Sequence, residues 1–247
     1  MMKILKNVVV LSVMALSICL CQNKNNQSGL LRLGSPYGGW IIPSGWSEKS
    51  VCYCVGAGED ITFDIELAKK FGCDVFVIDP TPRALAHFNY VKESLSAGSV
   101  PHTRTAVPVP YVAPAQVFVK LHFLAYGIWT KDEAVKFYSP KVAAHVSHSI
   151  VNLQQTSDYF EAPCKKISTL MKELGHDHID LLKMDIEGAE YAVIENFLQE
   201  KVSIRCLCVE FHEVASQRHA RVLKLLQLAG FDLAHHENKN YTFVYGK

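Results

Sequence analysis

Val51-Cys52-Tyr53-Cys54-Val55-Gly56-Ala57-Gly58-Glu59-Asp60 is the stretch that decides how this chain folds. An uncharged, β-favouring run stops at Gly-Ala-Gly, which predicts a buried strand opening into a tight loop. Beyond it, residues 62–71 carry an apolar stripe of Phe63, Ile65, Leu67 and Ala68, a helix that Gly72 ends. Residues 74–79 read as a second apolar strand ending at Asp79. Residues 81–95 read as a second helix, with Pro82 near its first turn, where a missing N–H costs nothing.

The alternation continues along the chain. Residues 98–114 are a loop rich in Pro and Gly, residues 117–126 a third strand, and residues 134–138 a small extra strand. A short helix (167–174), a fourth buried strand (179–184), a helix (189–199), a fifth strand (204–211) and a helix (217–228) closed by Gly230 follow. Residues 231–236 and 241–245 pair as a hairpin across Asn238-Lys239-Asn240, expected to put an antiparallel strand at one edge. The fold class is therefore α/β: a mostly parallel central sheet, covered on both faces, with a C-terminal antiparallel hairpin. Such sheets hold their ligand outside the carboxyl ends of the strands, so the residues that follow each strand are the functional candidates.

After the first strand, Gly56 and Gly58 let the backbone turn tightly and approach a ligand closely. After the second, Asp79 stands where a carboxylate can accept the hydroxyls of a ribose. Together they point to an adenine nucleoside. A dinucleotide fingerprint would need a third glycine, which is missing, and Glu59 and Asp60 sit where a pyrophosphate would lie. Carboxylates there repel phosphate but suit the amino group and sulfonium of S-adenosylmethionine. The loop thus favours a methyl donor, with an NAD-dependent oxidoreductase as the alternative.

The fourth strand ends Lys183-Met184-Asp185-Ile186-Glu187-Gly188-Ala189-Glu190, and the fifth ends Val209-Glu210-Phe211-His212-Glu213. Asp185 and Glu187 are expected in the first turn of a helix, so capping against the helix dipole rivals a catalytic role. The two strands should be neighbours, which brings Glu210 and His212 to face Asp185. A histidine near a carboxylate can take a hydroxyl proton, so Asp185, Glu210 and His212 are the candidate catalytic residues.

The stretches 55–64, 76–82, 182–190 and 209–212 resemble FkbM-family methyltransferases, and the likeness runs from about Ser50 to Tyr245. Asp185-Ile186-Glu187-Gly188-Ala189-Glu190 after an apolar strand is its most specific element. The resemblance implies a Rossmann-like class I methyltransferase fold, S-adenosylmethionine as cofactor and methyl transfer usually to oxygen. It implies that Gly56, Gly58 and Asp60 border the methionine part of the donor and that Asp79 holds the ribose. Gly127 and Ile128 would lie near the adenine, and Asp185 would face donor and substrate. The family's acceptors are diverse, so the expected partner is a small-molecule or glycan hydroxyl acceptor.

The chain has 247 residues, 49% of them apolar and 20% charged, enough for one domain over 29–247 with a sizeable core. A formal net charge of +1 gives no electrostatic reason to expect nucleic acid. Lys3 and Lys6 precede the apolar run 8–20, and a polar tether follows to residue 28. Residues 1–28 are therefore expected to be an export signal, or a lipoprotein (Cys19 or Cys21) or membrane anchor. Since the methyl donor is made in the cytosol, an exported binding protein that retains the fold without catalysis is a second alternative. Cys52 and Cys54, like Cys206 and Cys208, share a strand face and read as reduced core thiols rather than zinc ligands, which suits a cytoplasmic body and leaves localisation open. His145 and His148 lack a third ligand nearby in sequence, and Asp185, Glu187 and Glu210 have carboxylates that suit magnesium, but no metal is assigned. Tyr37, Trp40 and Trp46 are expected to strap over the core.

Overall fold

The computed structural model of the protein describes residues 29–142 and 147–246. The proposed signal or anchor at residues 1–28, and His145 of the histidine pair, lie outside the described residues.

The described chain opens with an antiparallel pair, β1 (Leu30–Leu33) and β2 (Trp40–Pro43). The first strand–helix units are β3 (Val51–Val55), α1 (Thr62–Phe71), β4 (Asp74–Ile78) and α2 (Pro82–Ser96). A 3-10 turn (Ala115–Val119) leads into β5 (Leu121–Leu124). Then β6 (Gly127–Ile128), β7 (Glu133–Tyr138) and β8 (Tyr159–Lys165) build a separate three-stranded sheet. The chain returns through α3 (Ile167–Leu174), β9 (Ile179–Met184), α4 (Glu190–Gln199), β10 (Ile204–Glu210) and α5 (Gln217–Ala229), and closes with β11 (Phe231–Glu237) and β12 (Asn240–Tyr245).

The main sheet has seven strands in the order β11-β12-β10-β9-β3-β4-β5. From β10 to β5 all neighbours are parallel, and β12 runs antiparallel to both β10 and β11. This corrects the edge position expected for the antiparallel strand. The turn at Asn238-Lys239 folds β12 back into the gap beside β10, and β11 becomes the edge. Strand order reverses between β3 and β9, which makes the carboxyl ends of that pair the switch point.

Strand alternation fills two cores. Cys52, Cys54, Val75, Val77, Leu181, Cys206 and Cys208 point to the face covered by α1 and α2. Tyr53, Val55, Ile78, Leu182, Met184, Leu207 and Val209 point to the face covered by α3, α4 and α5. Each fully buried aliphatic or aromatic side chain contributes about 1.5–3 kcal/mol, so the two faces together hold the sheet between its helices. The cysteines of the described strands are free and buried, as core packing requires. The third strand is shorter than the expected 117–126, because the turn that starts at Pro114 takes up Ala115–Val119. Trp40 and Trp46 are buried straps, but Tyr37 is 75% exposed and belongs to no core.

Local signals fix the helices that flank the site. Thr81 caps α2 by accepting the N–H of Ala84, with Pro82 at the first helical position. Gly72, Gly175 and Gly230 end α1, α3 and α5 in the left-handed conformation.

Candidate active site

The loop after β3 touches the loop after β9 directly. Gly56 has φ +83°, and a Cβ there would stand 1.8 Å from the carbonyl oxygen of Asp185, so any side chain would force the loops apart. Lys183, buried under this contact, donates from Nζ to the Gly56 carbonyl. Asp64 on α1 is buried nearby: burial raises its carboxyl pKa and the charge of Lys183 opposes that rise.

Asp79 organises the same loop from the β4 side. Its Oδ2 accepts the N–H groups of Ala57 at 2.9 Å and Gly58 at 3.0 Å. Its Oδ1 accepts the N–H of Thr81 at 2.8 Å and the Thr81 hydroxyl at 2.6 Å. The carboxylate lines the cavity, so a ribose would share it with those donors. Asp60 works the other way along the chain. It accepts the N–H and hydroxyl of Thr62 on Oδ1, and the Ser35 hydroxyl at 2.6 Å on Oδ2, which ties the β1–β2 turn to the glycine loop.

Across the switch point lies a cluster of acids around one histidine. His212 donates from Nδ1 to Glu190 Oε1 at 2.9 Å, and its Nε2 lies 3.2 Å from Glu187, 3.8 Å from Asp185 and 4.0 Å from Glu210. Burial opposes the imidazolium, but the hydrogen bond to Glu190 and the charges of Glu190, Asp185 and Glu187 outweigh it and raise the His212 pKa to about 9. Burial, followed by the charge of Asp185, pushes Glu210 up to about 7. Glu187 is also raised, first by burial. It is held at φ +54°, a left-handed conformation that costs a non-glycine residue about 1–3 kcal/mol. The Ser149 hydroxyl, 2.6 Å from its carbonyl, helps to hold it there.

Asp185 and Glu187 do not sit in the first helical turn, as the sequence leads one to expect; α4 begins at Glu190. The helix has no side-chain cap; Glu190 instead braces the turn before it, its Oε1 accepting the N–H groups of Ile186 and Gly188. Asp185, Glu190 and His212 offer ligand atoms within 4.8 Å of one another, and the imidazolium already stands among these carboxylates as their counter-charge.

The two halves share one cavity of about 720 Å³, within the usual range for a small-molecule site. Gly56, Gly58, Asp60 and Asp79 line it together with Gly127, Ile128, Asp185 and Glu210. His212 is not on its wall and stands behind the acids.

Residues 55–233 match the methyltransferase FkbM domain. The chain belongs to the FkbM methyltransferase family. Two curated relatives named "Probable methyltransferase-like protein 24" are similar to it. The Homo sapiens protein is 26% identical over 165 residues and the Rattus norvegicus protein 28% identical over 163. Each alignment covers 65% of this chain and 32% of the relative, so the chain spans about a third of the length of the curated relatives it matches. Among solved structures, a Methanococcus jannaschii fibrillarin pre-rRNA processing protein aligns with TM-score 0.42 and 9% identity, over 81% of this chain and 67% of that one. The N-terminal domain of human METTL16 in complex with SAH aligns with TM-score 0.37 and 11% identity, over 81% and 64%. The fold assignment rests on the strand order rather than on these likenesses.

Membership in the FkbM family implies S-adenosylmethionine as the ligand, and the residues present fit it. In the glycine loop Glu59 is buried and paired with Arg83 at 2.7 Å and Arg104 at 3.7 Å, Asp60 is held by Ser35 and Thr62, and the cavity continues from Asp79 to Asp185. Asp79, Gly56, Gly58 and Asp60 would hold the ribose and methionine parts, with Gly127 and Ile128 as the wall near the base. Sequence reasoning missed Glu190 as the partner of His212, though the acid stands in plain view within the motif. It also missed that Tyr37 walls the site on a turn held by Ser35, for which the sequence carries only an aromatic lead-in.

Proposed function

We propose that this FkbM-family chain transfers the methyl group of S-adenosylmethionine to a hydroxyl of a polar small molecule or sugar. The observation that carries the reading is a cavity with a glycine loop and ribose-type acid at one end and a carboxylate poised to titrate near neutrality at the other. Bound between them, the donor supplies an electrophilic methyl group.

The chain's own residues would position and deprotonate the acceptor. Glu210 lines the cavity and has a pKa of about 7, so its carboxylate can accept a hydroxyl proton at neutral pH. His212, with a pKa of about 9, is already protonated there and supports the acids as a counter-charge rather than acting as base. Asp185 and Glu187 would accept hydrogen bonds from neighbouring hydroxyls and orient the acceptor for in-line attack.

The test is transfer of labelled methyl from S-adenosylmethionine to a panel of monosaccharides, polyols and phenols. Glu210→Gln should abolish transfer to any acceptor found while donor binding persists. Turnover should rise with pH through about 7. Transfer unaffected in Glu210→Gln would remove Glu210 from the proton path.

A further inference from the structure

Of the three Phe, Tyr and Trp side chains on the cavity wall, Trp40 and Phe137 are buried at 4% and 6% exposure, and Tyr37 is 75% exposed. Other tyrosines are exposed, Tyr159 at 47% and Tyr245 at 42%, but Tyr37 is more exposed than either and stands on the cavity wall. Its backbone is not loose. Ser35 Oγ accepts the N–H groups of Tyr37 at 3.1 Å and Gly38 at 2.8 Å while donating to Asp60. The Ser35 N–H is held by Thr62 Oγ1 at 2.8 Å, and Arg32, paired with Glu237 at 2.8 Å, donates to the Pro36 carbonyl. The turn also lies hard against the donor loop, because a Cβ on Gly38 would stand 2.8 Å from Asp60 Oδ2. A rigid turn thus presents an exposed ring at the cavity wall.

The surroundings of that ring are acidic. The phenol pKa is raised by partial burial and then by the charges of Asp185, Glu210, Glu187 and Asp60. An aromatic face next to several carboxylates attracts a cation and gives little to a neutral ligand, since both the ring quadrupole and the acids act on positive charge.

Resting on the reading of S-adenosylmethionine as donor, we propose that Tyr37 is a specificity residue whose ring faces the sulfonium and lets the cavity tell the charged donor from the neutral thioether product. The donor and S-adenosylhomocysteine share ribose, adenine and amino-acid groups and differ in one methyl group and its positive charge. A cation-facing ring therefore acts on their ratio, whereas a wall acting by shape acts on both. The hairpin that carries Tyr37 precedes the matched family region, which begins at residue 55.

The experiment is calorimetric titration of the full-length chain with S-adenosylmethionine and, separately, S-adenosylhomocysteine, in wild type, Tyr37→Phe and Tyr37→Leu. Tyr37→Leu should lose roughly fivefold in affinity for the donor with the product within about twofold of wild type, the size of a single cation–π contact. Tyr37→Phe, which keeps the ring, should keep the wild-type ratio. A ratio unchanged in Tyr37→Leu, or equal weakening of both ligands, overturns the proposal while leaving the donor assignment intact. Wild-type protein that binds neither ligand overturns the donor assignment itself and the role of Tyr37 with it. Because Tyr37 belongs to no core, a thermal midpoint near that of wild type verifies that the variants are folded.

Discussion

His212 Nδ1 and Glu190 Oε1 stand 2.9 Å apart, joining the end of β10 to the start of α4 behind the cavity wall. Glu190 is fully buried, and the same oxygen accepts two N–H groups of the β9–α4 turn. The imidazolium thus holds in place the turn that carries Asp185 and Glu187. Replacing His212 by Ala leaves a buried carboxylate without its counter-charge, which should cost about 3–5 kcal/mol. Urea denaturation measures this, and a loss under about 1 kcal/mol would show that the pair is not a structural support.

The same cluster predicts how stability follows pH. His212 has a folded pKa of about 9 against an ordinary value of 6.5, and Glu210 about 7 against 4.5. Both groups bind protons more tightly in the folded state, so their contribution is fully present below the unfolded values. It is lost as pH rises, first through the Glu210 value and then through that of His212. The melting temperature should therefore fall between about pH 5 and pH 9 in wild type and fall less in Glu210→Gln. A flat or rising profile over that window would contradict the assignment.

Asp79→Asn replaces a carboxylate oxygen by an NH₂ group among four protein donors. At least one buried donor is left unpaired, at a cost of about 1–3 kcal/mol. The glycine loop should loosen with it, so donor affinity falls together with stability. A variant as stable as wild type that has lost only donor binding would mean that Asp79 serves the ligand and not the loop.

Gly56→Ala should cost both folding and binding. The added methyl meets the Asp185 carbonyl and the backbone is in the left-handed region, so destabilisation of about 1–3 kcal/mol is expected. The two loops that frame the cavity must also separate, so donor affinity should drop at least about tenfold. Wild-type affinity in this variant would show that the donor does not lie across those loops.

Much of this was legible in the residue order. The strands at the switch point, Val51–Val55 and Ile179–Met184, are sandwiched between helices and nearly all buried, so their apolar runs mark their limits in sequence. The β1–β2 pair was not legible as strands, because four residues each, with Arg32 inside one, give too short an alternation. Pro163 hid β8, since proline in a run argues against a strand. In the site, the adjacency of β9 and β10 brought His212 to the acids, as expected of neighbouring fourth and fifth strands in a sheet of this type. Its anchoring by Glu190 depends on how the turn before α4 folds, with Glu187 at positive φ, and the type of residue there gives no hint of that. The antiparallel hairpin was visible, but insertion of β12 beside β10 is a choice of pairing partner that local pattern does not encode.

The most direct test of the central claim is calorimetric titration of the full-length chain with S-adenosylmethionine and, separately, with NAD. The account predicts saturable binding of S-adenosylmethionine with a dissociation constant on the order of micromolar, weakened in Gly56→Ala, and no binding of NAD. Absence of S-adenosylmethionine binding, or comparable binding of NAD at the same loop, would contradict it.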